Sequence, residues 1–481
     1  MAILAVLAVL LPIGAGFALL LLNLTDRKKR QIFVMASLLA GAAVSLAVFW
    51  GGTGVWTLIC FGSRITFALG VDSLARIFGT MAALLWIPAT VYAFEYMRHE
   101  GAEVRFFAFY LMSFGVTMGI ALAANPITLF FFYECLTLTT LPLVMHAMDG
   151  RARFAGKLYV AFSMGGAGIA FAAVIFLVAY STGSMDFRLG GVLDPALVAP
   201  VHNLVLTAFL FGFFGFGVKA AVCPFHMWLP AASVAPTPVT ALLHAVAVVK
   251  AGVFAVIRLT YYAFGTQVLA GSWAQNVVLV CAIGTIVFGS ARALRQAHLK
   301  RRLAYSTVSN LSYMLLGVCL MTPAGLAAAL LHMVVHAVSK ITLFFCAGAI
   351  YYKSGREYVY ELAGFGRRMP VVLGCFLVTG LCLMGIPPLA GFASKWSLAL
   401  AAVEQGSPLA IAGVAALVIS AVLTALYIVS VLITALQPDP LQTPERLEPN
   451  RYMTVPLVVL TAACLVLSLC TGPLLAHFSA L

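Results

Sequence analysis

The chain has 481 residues, of which 63% are hydrophobic and only 9% are charged. A soluble domain of this length cannot bury so many apolar side chains in one core, so the composition excludes a soluble protein. The net charge of +13 could suggest a nucleic-acid-binding protein, but the basic residues are grouped in short loops between apolar segments, which argues against that class.

Apolar segments of about 20 residues recur along the whole chain, and we predict about fourteen transmembrane helices. The runs are continuous and do not alternate, so the strands of a membrane barrel are not expected. Residues 51–70 predict an external hairpin or loop. The sequence therefore predicts an all-α polytopic membrane protein. Its predicted spans are residues 2–23, 32–50, 72–97, 105–124, 126–148, 154–182, 201–229, 236–260, 275–294, 302–322, 324–352, 370–403, 408–436 and 452–475.

Basic residues follow every second span. The first span has its charges after it and none before it, the reverse of a secretory signal, so we expect it to remain as a helix. Arg64 and Arg188 are exceptions to the alternation. By the positive-inside rule the basic loops are cytoplasmic, and both termini are then predicted on the outer side. The basic loops lie at residues 27–30, 98–105, 151–157, 292–302, 353–368 and 446–451.

Two spans carry helix breaks. Pro224 and Pro230 interrupt the segment FGVKAAVCPFHMWLP, and Pro387 and Pro388 interrupt GIPPLAGFASKW. Broken backbone at membrane depth is tolerated where it is buried in protein or lines a water-filled cavity. Prolines that only kink a helix for packing are the alternative.

The two breaks lie five spans apart, an odd offset that places the second unit upside down relative to the first. Inverted repeats with interrupted helices are typical of transporters. No linker is long enough to separate soluble domains. We therefore predict one membrane domain over residues 1–481, with inverted-repeat halves at residues 105–260 and 275–436.

Five ionisable residues lie inside apolar spans: Glu134, Lys219, Lys250, Lys340 and Lys395. A charge at the centre of a membrane helix costs roughly 2.5–3.5 kcal/mol, so these side chains must face one another, water or protein. Glu134 and Lys219 lie two spans apart at comparable depth and predict a carboxylate–ammonium pair. A static ion pair that only packs the helices is the alternative.

Histidines accompany two of the lysines. His244 lies six residues before Lys250, whereas His332, His336 and Lys340 recur at i, i+4 and i+8 and predict one polar stripe on a helix. Lysine loses its proton when desolvated and histidine titrates near neutral pH, so both can relay protons. A hydrogen bond to a neighbouring helix would explain His244 equally well. Zinc binding by the HxxxH pair is disfavoured because the next position on the stripe is a cationic lysine.

These eight side chains, the relay residues, predict proton translocation: Glu134, Lys219, Lys250, His244, His332, His336, Lys340 and Lys395. Each lysine would alternate between charged and neutral as its neighbour's charge moves. The driving force would be a redox-linked change in a partner or the gradient of another ion. The ten cysteines form no Cys-x-x-Cys pair, and no nucleotide-binding fingerprint is present, so this chain is expected to hold no redox centre, cofactor or metal.

At these residues the chain resembles the antiporter-like membrane subunits shared by respiratory complex I, energy-converting membrane hydrogenases and multisubunit Mrp sodium/proton antiporters. The resemblance covers roughly residues 125–400 and is closest to the mid-sized members, since no long lateral helix is expected after the last span. It is carried by FFFYECLTLTTLPL around Glu134, the stretch from residue 216 to 252 around Lys219 and Lys250, LKRRLAYSTVSNLSYMLLG from Leu299, HMVVHAVSKITLFFCAGAI from His332, and GIPPLAGFASKW from Gly385. VDSLARIF around Asp72 is a weaker match.

The resemblance implies roles for the relay residues. Glu134 and Lys219 would form a coupled pair, and Lys250 with His336 or Lys340 would continue a central hydrophilic axis. Lys395 would be the point where protons enter or leave. The row of residues inferred from burial and charge coincides with the row implied by the family.

The resemblance also implies partners. We expect other membrane subunits and a peripheral redox arm that carries iron–sulfur clusters with nickel–iron or flavin centres, in the cytoplasmic (inner) membrane. The chain would then be one subunit of a proton-pumping oxidoreductase of the hydrogenase or NADH dehydrogenase type, and whether to class it as an enzyme stays open. The alternatives are a subunit of an Mrp-type sodium/proton antiporter without redox chemistry, and a membrane scaffold whose charges only pair and pack.

Overall fold

The computed structural model describes residues 1–61, 65–181, 183–438 and 445–480, so Arg64 lies outside the described residues. The described chain is a polytopic helical membrane protein, as predicted. Twelve helical segments of the described chain are long and apolar enough to cross a membrane, with Ala196–Gly217 and Thr237–Phe264 each counted as one segment. The predicted count of about fourteen stays a prediction, because Leu299–Cys319 is long but polar and Pro370–Met384 is apolar but only 15 residues long.

The N-terminal third contains six long helices and one hairpin. An Asn125 side chain that accepts a hydrogen bond from the Thr128 amide starts the fifth helix. Strands β1 (Gly54–Phe61) and β2 (Ile65–Val71) pair antiparallel, so the hairpin or loop predicted for residues 51–70 is a hairpin, and its external position stays a prediction. The helices are α1 (Ala2–Leu22), α2 (Arg27–Trp50), α3 (Ser73–Glu100), α4 (Glu103–Leu122), α5 (Pro126–Val144) and α6 (Gly150–Tyr180).

The central third is divided into short pieces. The first predicted break is confirmed, because the helix His202–Gly217 ends at Gly217 and the chain runs through turns until the next helix begins at Trp228. A second break was not predicted: the span at residues 236–260 stops at Ala245 and restarts at Val248. The helices are α7 (Pro195–Val198), α8 (His202–Gly217), α9 (Trp228–Ala231), α10 (Thr237–Ala245), α11 (Val248–Ile257) with a π-helical turn at Arg258–Phe264, α12 (Thr266–Leu269) and α13 (Trp273–Leu294).

The C-terminal third contains the other predicted break. The span predicted at residues 370–403 is split at Gly385, whose φ of 89° places it in the left-handed region that ends a helix. The helices are α14 (Leu299–Cys319), α15 (Pro323–Ser354), α16 (Phe365–Arg368), α17 (Pro370–Met384), α18 (Ala390–Gln405), α19 (Pro408–Leu436), α20 (Arg451–Leu469) and α21 (Thr471–Ser479).

The described residues group into two compact units. The first unit comprises residues 1–87, 102–220 and 247–278, and inside it α4 packs on α1 and α5, while α8 packs on α6 and α11. The second comprises residues 88–101, 221–246 and 279–481. Its centre is α15, which packs against α10, α14, α17, α18 and α20. The single membrane domain and the inverted-repeat halves stay predictions.

Candidate functional site

The relay residues are divided between the two units. Glu134, Lys219 and Lys250 belong to the first unit, and His244, His332, His336, Lys340 and Lys395 belong to the second. Six of the eight are almost completely enclosed by protein, whereas Glu134 and Lys395 are half-buried. Such burial of ionisable side chains in membrane spans is the arrangement expected of an internal ion path or of structural pairing.

In the first unit, Lys219 lies just past the end of α8. Its ammonium donates a hydrogen bond to the backbone carbonyl of Tyr133 and lies 3.5 Å from the centre of the Tyr133 ring. The Tyr133 hydroxyl donates in turn to the carbonyl of Phe216 at 2.7 Å. These contacts join α5 to the broken end of α8, and they satisfy the ammonium with neutral groups.

Glu134 follows Tyr133 on α5 and interacts electrostatically with Lys219. Within the described chain, the buried Oε1 atom of Glu134 accepts no hydrogen bond. The predicted pair is therefore close in space, but the hydrogen bond of the Lys219 ammonium goes to the preceding residue's carbonyl. The charges interact without forming a tight ion pair, an arrangement in which either group can change its protonation state without losing a direct partner.

Lys250 lies in the first turn of α11, immediately after the break that the sequence did not predict. Gly252 brings α11 close to the Lys219 segment, since a Cβ atom at Gly252 would stand only 2.4 Å from the backbone nitrogen of Ala220. Two lysine-bearing segments thus pack backbone to backbone. The start of a helix is the positive end of its dipole, so an ammonium at Lys250 meets an unfavourable field.

In the second unit, Lys340 is bound by α14. Its ammonium donates to the carbonyl of Leu303 at 2.9 Å and to the hydroxyl of Ser306. The Ser306 carbonyl accepts a hydrogen bond of 2.7 Å from the Asn310 side-chain amide one turn later. Lys340 is therefore connected to Asn310 through a single serine.

Asn310 also contacts His332, four residues before His336 on α15. The Asn310 Oδ1 atom lies 3.3 Å from His332 Nε2, and the hydroxyl of Ser394 lies 3.0 Å from His332 Nδ1. The Ser394 hydroxyl also donates to the carbonyl of Gly391 at 3.1 Å. The polar network, defined as Lys340, Ser306, Asn310, His332 and Ser394, thus runs from α14 through α15 to α18.

Lys395, the next residue after Ser394, caps the broken helix α17. Its ammonium donates to the carbonyls of Leu383 at 2.8 Å and Met384 at 3.0 Å, which are carbonyls that a helix end leaves without an internal partner. The ammonium also lies 5.4 Å from the centre of the Tyr313 ring. A cation at this position is favoured by the negative end of the helix dipole.

The two other histidines also contact α15 or lie on it. The His336 ring lies 6.0 Å from the His332 ring, as expected for a stripe with helical spacing. The His244 ring on α10 lies 4.8 Å from the ring of Phe344 on α15. The predicted stripe is confirmed as geometry, since His332, His336 and Lys340 lie on one uninterrupted helix.

Sequence reasoning missed the neutral members of the polar network. Ser306 and Asn310 lie at i and i+4 in a segment whose many hydroxyl and amide side chains could have identified them. Ser394 carries no such signal, because its orientation depends on the fold. The same is true of Tyr133, the neutral partner of Lys219 in the first unit.

Sequence reasoning also passed over a buried arginine. Arg258 is only 2% exposed and pairs with Asp72 through two hydrogen bonds, one of them 2.8 Å long. Aromatic rings of Phe187, Phe254 and Tyr262 surround its guanidinium at 4.8–5.0 Å. Bidentate pairing and stacking are the contacts in which arginine serves better than lysine, so we interpret this pair as structural.

Metal binding has no support from the arrangement of side chains. In the ranges that the structure covers, no three or more His, Cys, Asp and Glu residues form a group that could hold a metal ion.

Comparisons with known proteins agree on one family. Residues 123–424 match the family described as NADH:quinone oxidoreductase/Mrp antiporter, transmembrane. The chain is 32% identical to NADH-quinone oxidoreductase subunit N of Desulforudis audaxviator, over 97% of this chain and 95% of that protein. It is also 32% identical to a probable K(+)/H(+) antiporter component of Rhizobium meliloti, over 84% of this chain but only 40% of that protein's length.

Solved structures share the fold. A chain of the Mrp complex from Dietzia sp. superposes with a TM-score of 0.85 at 22% identity and covers all of this chain and 97% of its own. A chain of the membrane-bound sulfane sulfur reductase, an archaeal respiratory membrane complex, superposes with the same TM-score and identity, covering 99% of this chain and 97% of its own.

Proposed function

We propose that this chain, which belongs to the NADH:quinone oxidoreductase/Mrp antiporter transmembrane family, is a proton-translocating subunit of a redox-driven membrane complex. The observation that carries the proposal is the polar network from Lys340 to Ser394. It joins two titratable side chains through neutral hydrogen-bonding groups inside an apolar helix bundle. Because the partners are neutral, Lys340 and His332 can each bind and release a proton without breaking an ion pair. The Ser306 carbonyl and the Asn310 amide cannot pass a proton on, so we propose that water carries protons between the two side chains.

Asn310 determines which ring nitrogen of neutral His332 carries the proton. The Asn310 amide nitrogen donates to the Ser306 carbonyl, so its oxygen faces His332 Nε2 and favours a proton there. In neutral His332 the other nitrogen, Nδ1, accepts a hydrogen bond from the Ser394 hydroxyl. When His332 is doubly protonated, Nδ1 donates instead, and the Ser394 hydroxyl donates to the Gly391 carbonyl. The orientation of one hydroxyl thus reports the charge of His332.

Lys395 would respond to that charge. A proton on His332 adds positive charge next to the segment that carries Lys395, and like charges repel. Loss of the Lys395 proton would remove the charge that caps the Leu383 and Met384 carbonyls at the break. We therefore propose that Lys395 exchanges protons with one side of the membrane.

The relay residues of the first unit would work by the same principle. Lys219 is satisfied by a carbonyl and a ring face while Glu134 acts on it through charge. We propose that Glu134, Lys219 and Lys250 pass protons toward the histidines and lysines of the second unit, in the order that the family resemblance implies. Family membership supports this order, and the complete burial of Lys219 and Lys250 supports a path through the protein interior.

The same membership supports a setting for the chain. We propose the cytoplasmic (inner) membrane, with the basic loops inside, both termini outside, and neighbouring membrane subunits as partners. A peripheral arm would carry the iron–sulfur clusters and the nickel–iron or flavin centres. End-to-end similarity to a NADH-quinone oxidoreductase subunit supports the redox-driven assignment.

An Mrp-type sodium/proton antiporter subunit is the second candidate. Similarity to a probable K(+)/H(+) antiporter component and to a chain of the Mrp complex favours it. The subunits that copurify with this chain would separate the two candidates. Iron–sulfur and hydrogenase-like or NADH dehydrogenase-like subunits support the redox complex, and small membrane subunits alone support the antiporter.

The test of the proposal uses the purified complex in sealed vesicles that contain a pH-sensitive dye. Lys340→Met keeps the side-chain length but removes the ammonium, and we expect proton translocation to fall by roughly 100-fold or more while the complex assembles normally. Lys353→Met is the matched control, because Lys353 is an exposed lysine on the same helix. Translocation by Lys340→Met at the wild-type rate would overturn the proposed role of the polar network.

A further inference from the structure

A pocket of about 350 Å³ lies between the C-terminal ends of α3 and α15 in the second unit. Both helix ends precede basic loops, so the sequence predicts that they lie on the cytoplasmic side. A polar pocket of this size has room for several water molecules. Its lining residues are Tyr96, His99, Glu100, Tyr351, Tyr352 and Gly355.

The rim of the pocket carries proton-binding groups. His99 is exposed, and its ring lies 4.4 Å from the ring of Tyr352. Glu100 is half-buried and interacts electrostatically with His99 and Lys300. Beneath them, the Glu95 carboxylate accepts a hydrogen bond of 2.7 Å from the Tyr352 hydroxyl. Carboxylate and imidazole groups bind and release protons rapidly, so the rim is suited to collecting protons from water.

The floor of the pocket leads inward. Tyr96 is 1% exposed, and its hydroxyl accepts a hydrogen bond of 3.0 Å from the hydroxyl of Thr237, the first residue of α10. Thr240 and His244 follow on the same helix at i+3 and i+7, which places all three on one face. The buried floor is therefore the start of a helix face that ends at a relay histidine. The Thr240 hydroxyl donates to the carbonyls of Ala235 and Pro236, so passage along this face requires water.

Close packing holds this floor in place. A Cβ atom at Gly348 of α15 would lie 2.4 Å from the Thr237 side chain and 2.6 Å from the Tyr92 hydroxyl. The Tyr92 hydroxyl donates to the Phe345 carbonyl at 2.8 Å, and the two rings stack with their centres 3.9 Å apart. Tyr96 and Thr237 thus meet in a rigid three-helix contact.

We propose that this pocket is a proton-uptake site, in which Glu100 and His99 take protons from water and Tyr96 with Thr237 passes them inward, through water on the same face of α10, to His244. This inference rests on the proposed function, because it names where protons reach the relay. The transfer is balanced when the Thr237 hydroxyl first turns away from Tyr96. The Tyr96 oxygen then takes a proton from the pocket and gives its own hydroxyl proton to Thr237 Oγ1, and Thr237 releases its proton to water on the side of His244, so Tyr96 and Thr237 both end neutral.

The experiment compares matched variants of the complete complex in sealed vesicles. Glu100→Gln and Tyr96→Phe each remove a proton-transfer group but keep the shape of the side chain. Their controls are Glu404→Gln and Tyr360→Phe, which change an exposed glutamate and an exposed tyrosine outside the pocket. We expect proton translocation per assembled complex to fall roughly tenfold in both pocket variants and to stay unchanged in both controls.

The outcomes separate this inference from the proposed function. If wild type translocates protons and Lys340→Met does not, while both pocket variants keep the wild-type rate, the uptake site is wrong and the proposed function stands. A lower yield of complex with an unchanged rate per complex would show that the pocket is only structural and would also overturn the inference. If wild type itself moves no protons, both the proposed function and the uptake site fail.

Discussion

The Nδ1 atom of His332 lies 3.0 Å from the hydroxyl oxygen of Ser394, and Ser394 directly precedes Lys395. One hydrogen bond therefore links the polar stripe of α15 to the helix break that Lys395 caps. The same hydroxyl is 3.1 Å from the Gly391 carbonyl, so it can donate either to that carbonyl or to His332 Nδ1. Which of the two acceptors this hydroxyl bonds depends on the charge of His332. The charge of His332 on α15 can therefore affect Lys395 on α18.

Ser394→Ala should slow proton translocation by roughly tenfold or more, because it removes the hydroxyl between His332 and the Lys395 segment. Ser397→Ala is the control, since the Ser397 hydroxyl only donates to the Ala393 carbonyl of its own helix. Initial rates in vesicles, divided by the amount of assembled complex, check the prediction. Equal rates in the two variants would remove Ser394 from the pathway.

Lys219→Ala should assemble normally and abolish translocation. The ammonium is completely buried and donates its hydrogen bond to the neutral Tyr133 carbonyl, so its loss breaks no direct ion pair, and the half-buried Glu134 loses an electrostatic interaction only. Copurification of all subunits together with vesicle acidification checks both halves of the prediction. Normal pumping by Lys219→Ala would favour the scaffold interpretation.

Glu134→Gln should impair transport more than Glu134→Asp, since only aspartate keeps a carboxyl group that can bind and release a proton. The buried Oε1 atom accepts no hydrogen bond from the described residues, so the shorter side chain breaks no bond at that atom. The measurement is the initial rate of acidification for the two variants side by side. Equal rates would argue against a titrating carboxylate at this position.

Gly391→Ala should destabilise the complex by roughly 3 kcal/mol or more, or prevent its assembly. A Cβ atom at Gly391 would lie 1.6 Å from the carbonyl oxygen of Cys382, so α18 could no longer pack against α17. Gly374→Ala is the control, because a Cβ atom there meets nothing within 4 Å. Thermal unfolding of both purified variants gives the comparison, and equal melting temperatures would contradict the predicted contact.

Glu448→Gln should stabilise the protein at alkaline pH and have less effect in acid. Burial raises the pKa of Glu448, outweighing its hydrogen bonds from the backbone of Val371 and Val372 and the charge of Arg446. A carboxyl group with a raised pKa stabilises the fold below its unfolded pKa, and this contribution is lost as the pH rises through the folded value. Glutamine carries no charge to bury and can still accept the 2.6 Å bond from Val371.

Melting temperatures of wild type and Glu448→Gln across a pH series measure this effect. Glu445→Gln is the control because Glu445 is exposed. A difference between wild type and Glu448→Gln that does not grow with pH would show that Glu448 is not penalised by burial.

The sequence predicted what depends on hydrophobicity and on local backbone chemistry. Pro387 and Pro388 cannot continue a helix, so the split between α17 and α18 was predictable from residue types alone. The stripe of His332, His336 and Lys340 follows from helical spacing. The break between Ala245 and Val248 escaped prediction because no proline or glycine marks it, and tertiary packing must hold it.

The neutral residues of the candidate site could not be predicted from the sequence for a related reason. Ionisable residues in apolar spans are conspicuous, but Ser394 and Asn310 are ordinary residues until the fold places them on either side of His332. Lys219 shows the same limit, since charge alone predicted Glu134 as its partner whereas its hydrogen bond goes to the Tyr133 carbonyl. Geometry, more than residue type, decides which hydrogen bonds form.

Lys340 illustrates a further consequence of such neutral surroundings. Among the described residues its ammonium is held by the Leu303 carbonyl and the Ser306 hydroxyl, without a carboxylate against it. Each proton that it gains therefore adds a full unit of charge to the interior of the bundle. Moving such a charge across the whole membrane is worth about 2.3 kcal/mol per 100 mV. The fraction of Lys340 that carries a proton should thus depend on the transmembrane voltage. The voltage that pumping creates would then slow further pumping at this lysine.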